Sequence, residues 1–177
     1  MNQVIFDKLH SFTGSGKLIS VYADATDPQS FAVGFLIQIN SDNILLNMVN
    51  RAGEETGFYL FSTNDIFRFS YEEKYFEKIE KLFSIKKQKI RKISNLKSNL
   101  VVSLLDYADQ NHLLVEVNDD PTGYVKSIAG GTLELELIDN CGNRIGISNI
   151  DLSIVKSIRC QSKYLNDIEL LVNCTKR

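Results

Sequence analysis

The chain has no tryptophan, only two histidines and only three cysteines among its 177 residues, and these shortages narrow its chemistry. The cysteines, Cys141, Cys160 and Cys174, are odd in number and stand at no metal-ligand spacing, so they indicate reduced thiols and no metal site. The HExxH, GxSxG and CxxC motifs are absent, and Asp119-Asp120 has no second carboxylate cluster nearby in sequence. The sequence therefore predicts a non-enzymatic protein without a cofactor.

Long apolar runs and an excess of one charge are also missing. The first ten residues, MNQVIFDKLH, include Asp7 and resemble neither a signal peptide nor a transmembrane segment. The net charge is -2 at pH 7, which gives no general attraction to nucleic acid or to acidic membranes. Together with the reduced cysteines, these features predict a cytoplasmic protein that does not engage a membrane.

Six of the ten glycines belong to an internal repeat. Gly34 and Gly123 are 89 positions apart, and Gly53 matches Gly142 at the same offset. The loop before the first repeated glycine, which begins at Pro28, is four residues longer in the first copy. Repeats of this kind fix architecture, so the chain predicts two copies of one structural unit. The same offset aligns further pairs without a gap, among them Gly57/Gly146, Ile39/Ile128, Leu46/Leu135, Phe58/Ile147 and Tyr75/Tyr164.

Each copy contains short runs that are typical of strands between turn signals. Residues 132–138, TLELELI, alternate leucine with glutamate, which indicates a strand with one face in water. Apolar residues at helical spacing predict a helix before each set of strands and a short amphipathic piece after it. The predicted helices are residues 2–12, 75–83, 96–109 and 164–172, the last of which also fits a strand; the predicted strands are 18–23, 34–40, 43–50, a strand from Gly57 and 66–69, then 113–117, 123–128, 132–138, a strand from Gly146 and 155–158.

Five short strands in about 50 residues are typical of a small closed barrel. The predicted fold class is therefore mainly β with flanking helices (α+β). It comprises two small five-stranded SH3-like barrels in tandem, each preceded by a helix. The predicted domains are residues 1–84, a basic linker at 85–95, and residues 96–177.

The spacing of apolar and glycine residues resembles the Sm/LSm family of small β-barrels. The first family motif is matched by Gly34-Phe-Leu36, Asn40 and Ile44-Leu45-Leu46. The second motif is matched by two sets of residues at the same spacing, Phe61, Ile66 and Phe69 in the first copy and Ile150, Val155 and Ile158 in the second. The resemblance covers most of both halves and implies RNA binding or assembly into rings.

The residues that form the base-binding pocket in that family are mostly replaced here. The family's aspartate position holds Asn40 in the first copy, and its asparagine position holds Ile44. The arginine-glycine position holds Ser62-Thr63. The resemblance therefore implies no planar base pocket. The corresponding residues of the second copy are Ala129, Leu133 and Asp151-Leu152.

A basic run lies at the junction of the two copies. Residues 81–97, KLFSIKKQKIRKISNLK, carry seven positive charges and no acidic residue. Such a run can follow a phosphate backbone, and the alternative is a solvated linker helix or a surface docked on the acidic second copy. The predicted RNA contacts are Lys86, Lys87, Lys89, Arg91, Lys92 and Asn40.

Two functions are consistent with these features. The first is a tandem Sm-like protein that binds RNA through backbone contacts. The alternative is a protein–protein adaptor without nucleic acid, which the replaced pocket residues favour. Exposed sheet edges pair readily with other strands, so a homo-oligomer joined through barrel edges is expected in either case.

Two further motifs are interpreted structurally. The sequence TGSGK at Thr13–Lys17 lacks the remaining residues of a phosphate loop and predicts a flexible turn. The aromatic group around residues 67–76 fits a stacking platform or a partner groove, and we interpret it as packing. Its members are Phe67, Phe69, Tyr71, Tyr75 and Phe76.

Overall fold

The computed structural model describes residues 3–175, so residue 2 of the first predicted helix lies outside the described residues. The chain divides into two compact units. The first unit comprises Met1–Gly57 and Phe61–Lys92, and the second comprises Phe58–Leu60 and Ile93–Arg177. The division after Lys92 falls within the segment that the sequence predicts to be a linker.

The elements of the first unit in chain order are α1 (Gln3–His10), β1 (Leu18–Tyr22), β2 (Ala32–Ile39), β3 (Asn43–Val49), β4 (Glu55–Ser62), a 3-10 turn (Thr63–Asp65), β5 (Arg68–Tyr71) and α2 (Lys74–Ile85). The strands lie in the order β5-β1-β2-β3-β4. Strand β1 pairs antiparallel with β2 and β5, and β2 pairs antiparallel with β3.

The second unit has the elements α3 (Leu100–Gln110), β6 (Leu114–Val117), β7 (Thr122–Ala129), β8 (Thr132–Ile138), β9 (Arg144–Asp151), a 3-10 turn (Leu152–Ile154), β10 (Ser157–Cys160) and α4 (Lys163–Thr175). It repeats the arrangement of the first unit, with strands in the order β10-β6-β7-β8-β9. It also holds the Phe58–Leu60 segment of β4, which neighbours β10. The helix α3 begins after Asn99, whose side chain accepts a hydrogen bond from the Val102 amide and so caps the helix.

The predicted α+β class is confirmed, because the described residues form ten strands and four helices. Neither strand order closes on itself, so the expectation of two closed barrels is not confirmed. The last element, which the sequence left open between helix and strand, is the helix α4. The strands β5 and β10 begin two residues later than predicted, because the residues before them form the 3-10 turns and their exit.

The repeat seen in the sequence is also present in the backbone. The β2–β3 pairing shifts register between Leu36 and Gln38, and the β7–β8 pairing shifts between Val125 and Ser127, which are the equivalent positions. Both 3-10 turns are capped by a side chain that accepts a backbone N–H two residues later. Both copies therefore bend the same strand at the same place.

Each unit also packs its last helix on equivalent residues. In the first unit, Phe76 and Ile79 of α2 pack on Phe35 and Val49. In the second unit the equivalent residues of α4, β7 and β8 form the corresponding core, namely Leu165, Ile168, Tyr124 and Ile138.

Two pairs of repeated glycines are explained by close contacts. A Cβ at Gly34 would lie 2.4 Å from the Asn47 carbonyl oxygen, and a Cβ at Gly123 would lie 2.4 Å from the Glu136 carbonyl oxygen. Only glycine lets the paired strands approach so closely. At Gly53, φ is +69° and a Cβ would meet Leu82 of α2 at 2.5 Å. The equivalent Gly142 has φ of +81° and lies against α4, so both β3–β4 and β8–β9 turns dock on a helix.

Candidate interaction surfaces

The basic segment, defined as residues 85–95, leaves α2 and is fixed to β3 and β4 of the first unit over its first part. The backbone N–H of Arg91 donates to Oδ1 of Asn47 at 2.8 Å, and Oε1 of Gln88 accepts the backbone N–H of Glu55 at 3.1 Å. Asn47 is fully buried, and its Nδ2 donates to Oε1 of Glu55 at 2.7 Å and to the Gly57 carbonyl at 3.0 Å. The segment is thus attached by buried hydrogen bonds.

Two of the predicted RNA-contacting cations are engaged in ion pairs. Nζ of Lys86 lies 2.6 Å from Oε1 of Glu54, and the guanidinium of Arg91 lies 2.8 Å from Oε2 of Glu55. The Glu55 side chain is only 6% exposed and the Arg91 side chain is 39% exposed, so the carboxylate of this second pair is shielded from water while the guanidinium is partly exposed. A buried carboxylate needs such a cation, and we therefore assign Arg91 a structural role.

The other three cations of the segment remain available to solvent. Lys87, Lys89 and Lys92 are exposed and form no ion pair with another residue in the described range 3–175. Lys87 has φ of +53°, which turns the chain directly after the α2 helix. Of the five cations that the sequence predicts to contact RNA, these three are therefore the ones that are exposed without an ion pair.

Asn40 stabilises the β2–β3 turn. Its Oδ1 accepts the backbone N–H of Asp42 at 2.9 Å and that of Asn43 at 2.7 Å. The turn is joined to the 3-10 turn after β4, because Thr63 donates its hydroxyl to the Ser41 carbonyl at 2.5 Å and its N–H to the Asp42 carbonyl at 2.9 Å. The β2–β3 turn and the 3-10 turn after β4 thus meet in space and are joined by hydrogen bonds from Thr63 to backbone carbonyls.

The same two turns meet in the second unit. The backbone N–H of Leu152 donates to the Gly131 carbonyl at 2.8 Å. Gly130 and Gly131 form the β7–β8 turn with positive φ, so the turn carries no side chain that could hydrogen-bond to a base. This arrangement favours a structural role for these turns in both units.

Strand β9 forms an open edge of the second unit. It stands last in the strand order, and β8 is its neighbour there. Ile145 and Ile147 on this strand are 62% and 60% exposed. Large apolar side chains beside an unpaired strand edge are costly in water and are typical of an interaction surface.

The equivalent strand of the first copy is covered. Phe58 occupies the position of Ile147 in the repeat, and it is only 1% exposed. Within the second unit its ring packs edge-on against Tyr107 of α3, with the ring centroids 5.6 Å apart. The guanidinium of Arg159 on β10 lies over the ring of the neighbouring Tyr59, 4.6 Å from the centroid of that ring. Burial raises the pKa of the Tyr59 hydroxyl. Repeat-equivalent residues are therefore buried in one copy and exposed in the other.

Further apolar side chains are exposed near β9. Leu171 of α4 lies against the β8–β9 turn at Gly142, and the hydroxyl of Tyr164 donates to Oδ1 of Asn140 in the same turn at 2.5 Å. Helix α4 also exposes Leu170. The exposed face of the second unit therefore extends from β9 over the turn to α4.

The other motifs noted in the sequence have structural roles here. In the TGSGK turn the Gly14 and Ser15 amides are bonded to carbonyls of Leu36 and Phe12, so they do not point to an anion. Phe69 and Tyr71 pack on Phe12, which joins β5 to the end of α1. Of the aromatic group, Phe76 is buried while Phe67 and Tyr75 are partly exposed.

Comparisons with known proteins identify no relative: no family model, curated protein or solved structure matches the chain. Within residues 3–175, no group of three or more His, Cys, Asp or Glu side chains is placed to hold a metal ion. None of the described helices is long and apolar enough to cross a membrane.

Sequence reasoning missed the open edge at β9. The pairing of Phe58 with Ile147 in the repeat is visible in the sequence, but both are apolar residues that fit a buried strand. Only the strand order distinguishes them, because the Phe58–Leu60 segment of β4 is followed by β10, whereas β9 stands last and has β8 as its one neighbour among the described strands. The anchoring role of Asn47 was also missed, because its partners Glu55 and Arg91 lie 8 and 44 positions away in the sequence.

Proposed function

We propose that this chain is a non-enzymatic protein–protein interaction module whose open β9 edge pairs with a strand of a second copy. The observation that carries the proposal is the difference between Phe58, which is 1% exposed, and its repeat equivalent Ile147, which is 60% exposed. A position that is buried in one copy and open in the other indicates a contact that a partner completes.

The repeat also supplies the strand that would fit. Within the second unit, the Phe58–Leu60 segment of β4 has β10 as its neighbour, and β10 is the repeat equivalent of β5. Because β9 is the repeat equivalent of β4, β9 of one molecule would pair with β5 (Arg68–Tyr71) of another. Strand β5 stands first in the strand order of the first unit, where β1 is its one neighbour among the described strands, so this edge is open as well. Such a head-to-tail contact is not self-closing in one pair, and it leads to rings or filaments.

This proposal includes the Sm-like character of the two units and the homo-oligomer that the resemblance implies. Both units have the same linear strand order, the same bulge and the same capped 3-10 turn, which supports their common origin. We place the module in the cytoplasm, because none of its three cysteines, which all lie within the described residues, forms a disulfide, and Cys141 and Cys174 are exposed.

The test is the mass of the protein in solution with β9 intact and with β9 charged. We expect light scattering to give a multiple of the 20.0 kDa chain mass for the natural protein. Ile147→Glu places a charge at the edge and should return the protein to monomers. Ile85→Glu is the matched control, because Ile85 is 75% exposed on α2 and should leave the mass unchanged. A natural protein that remains a monomer at about 100 μM, well above the micromolar range of specific complexes, would refute self-assembly.

RNA binding is a second candidate, and it is favoured by the exposed cations Lys87, Lys89 and Lys92. Three contacts to phosphates of single-stranded RNA would give a slope of about -2 when the logarithm of the binding constant is plotted against the logarithm of the salt concentration. We would measure the anisotropy of a labelled 20-nucleotide RNA with the natural chain and with these three lysines changed to glutamate. The matched control changes Lys74, Lys78 and Lys81 of α2 to glutamate. Equal loss in both variants, or equal binding by all three proteins, would contradict the assignment.

A further inference from the structure

A cavity of about 370 Å³ opens in the first unit, on the side of the β3–β4 turn and the start of α2. Its walls include Phe31, Met48, Arg51 and Tyr75. The volume is at the lower end of the range found for small-molecule sites in proteins. We propose that this cavity binds a small ligand with one flat apolar ring and one anionic group, either a carboxylate or a phosphate.

The apolar part of the cavity is suited to a ring. Phe31 and Tyr75 meet edge to face, with centroids 6.3 Å apart and an interplanar angle of 84°. Phe31 also packs on Tyr22, at a centroid distance of 5.1 Å, so its ring is supported from behind. The partly exposed thioether of Met48 completes this wall, and sulfur contacts aromatic ring edges favourably.

The cationic part of the cavity is Arg51. Its side chain is exposed, lines the cavity and forms no ion pair with another residue in the described part of the chain. A guanidinium binds a carboxylate or phosphate with two parallel hydrogen bonds, so a free arginine beside an apolar wall favours an anionic ring compound.

The turn that carries Arg51 is held in place before any ligand arrives. Oδ1 of Asn50 accepts the backbone N–H groups of Ala52 at 2.9 Å and of Glu54 at 3.0 Å. Gly53 packs directly on α2, as described above, and Glu54 is bound by Lys86. Preorganised walls reduce the entropy lost on binding, which is the property expected of a binding site.

The second unit has different residues at two features that shape this cavity. There, Asn140 stands at the position of Arg51, and it accepts the hydroxyl of Tyr164, the equivalent of Tyr75. In the first unit the Tyr75 hydroxyl has no partner among the described residues. The first copy also has the longer loop that contributes Phe31, Gln29 and Ser30 to the walls. The copies therefore differ at Arg51 and in this loop, which are two features that charge the cavity and form its walls.

The experiment is a titration of the ¹⁵N-labelled full chain, followed by amide chemical shifts. The probes are phenylacetate, phenyl phosphate and the neutral phenylacetamide. We expect at least one anion to saturate with a dissociation constant of about 1 mM, as fits a ligand of about ten heavy atoms, with shifts centred on residues 29–31, 48–51 and 56. Phenylacetamide should bind about tenfold more weakly, because it lacks the charge-assisted hydrogen bonds. The tighter of the two anions identifies the anionic group.

Two variants separate this site from general attraction. Arg51→Gln should lower the affinity for the anions about tenfold and leave the affinity for phenylacetamide unchanged. Lys81→Gln removes one exposed charge from α2 away from the cavity walls and should change neither value. Because Arg51 is exposed, its variant is expected to fold, and the spectrum itself reports this. Absence of saturation by 10 mM, shifts centred elsewhere, or an Arg51→Gln variant that binds the anions like the natural chain would each overturn the proposal. The outcome is independent of whether β9 pairs with a second copy.

Discussion

The buried side chain of Asn47 offers the most direct test of how the basic segment is held. Asn47 makes three hydrogen bonds, to the backbone N–H of Arg91, to the carboxylate of Glu55 and to the Gly57 carbonyl. Asn47→Leu keeps a side chain of similar size but removes all three bonds. The Arg91 N–H and the Gly57 carbonyl would then lose this partner, and Oε1 of Glu55 would keep only the N–H of Gly57.

The expected cost follows from these groups. An unsatisfied buried donor or acceptor costs about 1 to 3 kcal/mol, and part of the Glu55 charge remains paired with Arg91. We therefore expect the free energy of unfolding to fall by about 3 kcal/mol, measured by urea denaturation. Trypsin should also cleave at Lys89 and Lys92 at least tenfold faster, because the segment opens locally without its anchor.

The matched control is Asn64→Leu, which changes the same residue type at an exposed position of the same unit. Its effect should stay within about 0.5 kcal/mol, as is usual at surfaces. If Asn47→Leu lowers the free energy of unfolding no more than this control does, and trypsin cleaves at the natural rate, then Asn47 does not anchor the basic segment.

Three other predictions test the fold. Gly123→Ala should lower the free energy of unfolding by about 2 to 3 kcal/mol, because its Cβ would meet the Glu136 carbonyl oxygen at 2.4 Å; the melting temperature measures this. Hydrogen bonds from Asn143 hold the pKa of Asp139 below its ordinary value of 3.8, so its contribution to stability is present above that pH and is lost on further acidification. Acid unfolding of Asp139→Asn should accordingly be less steep below this pH, and an unchanged acid profile would contradict the assignment. A thiol reagent should modify two cysteines of the folded chain quickly and spare the buried Cys160 until denaturation; the reactive ones are Cys141 and Cys174.

The local elements could be predicted because their signals are close together in the sequence. The alternation of TLELELI gives β8, and the apolar spacing of residues 75–83 gives most of α2. The repeated glycines were found from their offset alone, although the reason for each glycine required the structure. Gly34 and Gly53 face a neighbouring strand and a helix that the sequence does not place beside them.

The candidate sites were less accessible to sequence reasoning. The basic run was noted from its charges, but charge counting does not show that Glu54 and Glu55 lie beside Lys86 and Arg91. Asn40 was noted from a motif position, and the structure gives it a turn to stabilise. The cavity beside Arg51 had only one signal in the sequence, namely the longer loop of the first copy.

The sequence by itself determined the duplicated order of helices and strands, because side-chain periodicity and turn residues act within a few positions of the chain. Only the tertiary structure decided which strand edges have neighbours, which cations are paired and where a cavity remains. Those properties depend on groups that meet across long separations, as when Asn47 bonds to Arg91. Ile147 and Phe58 are equivalent in the repeat, and only packing against Tyr107 separates a buried core residue from an exposed interaction surface.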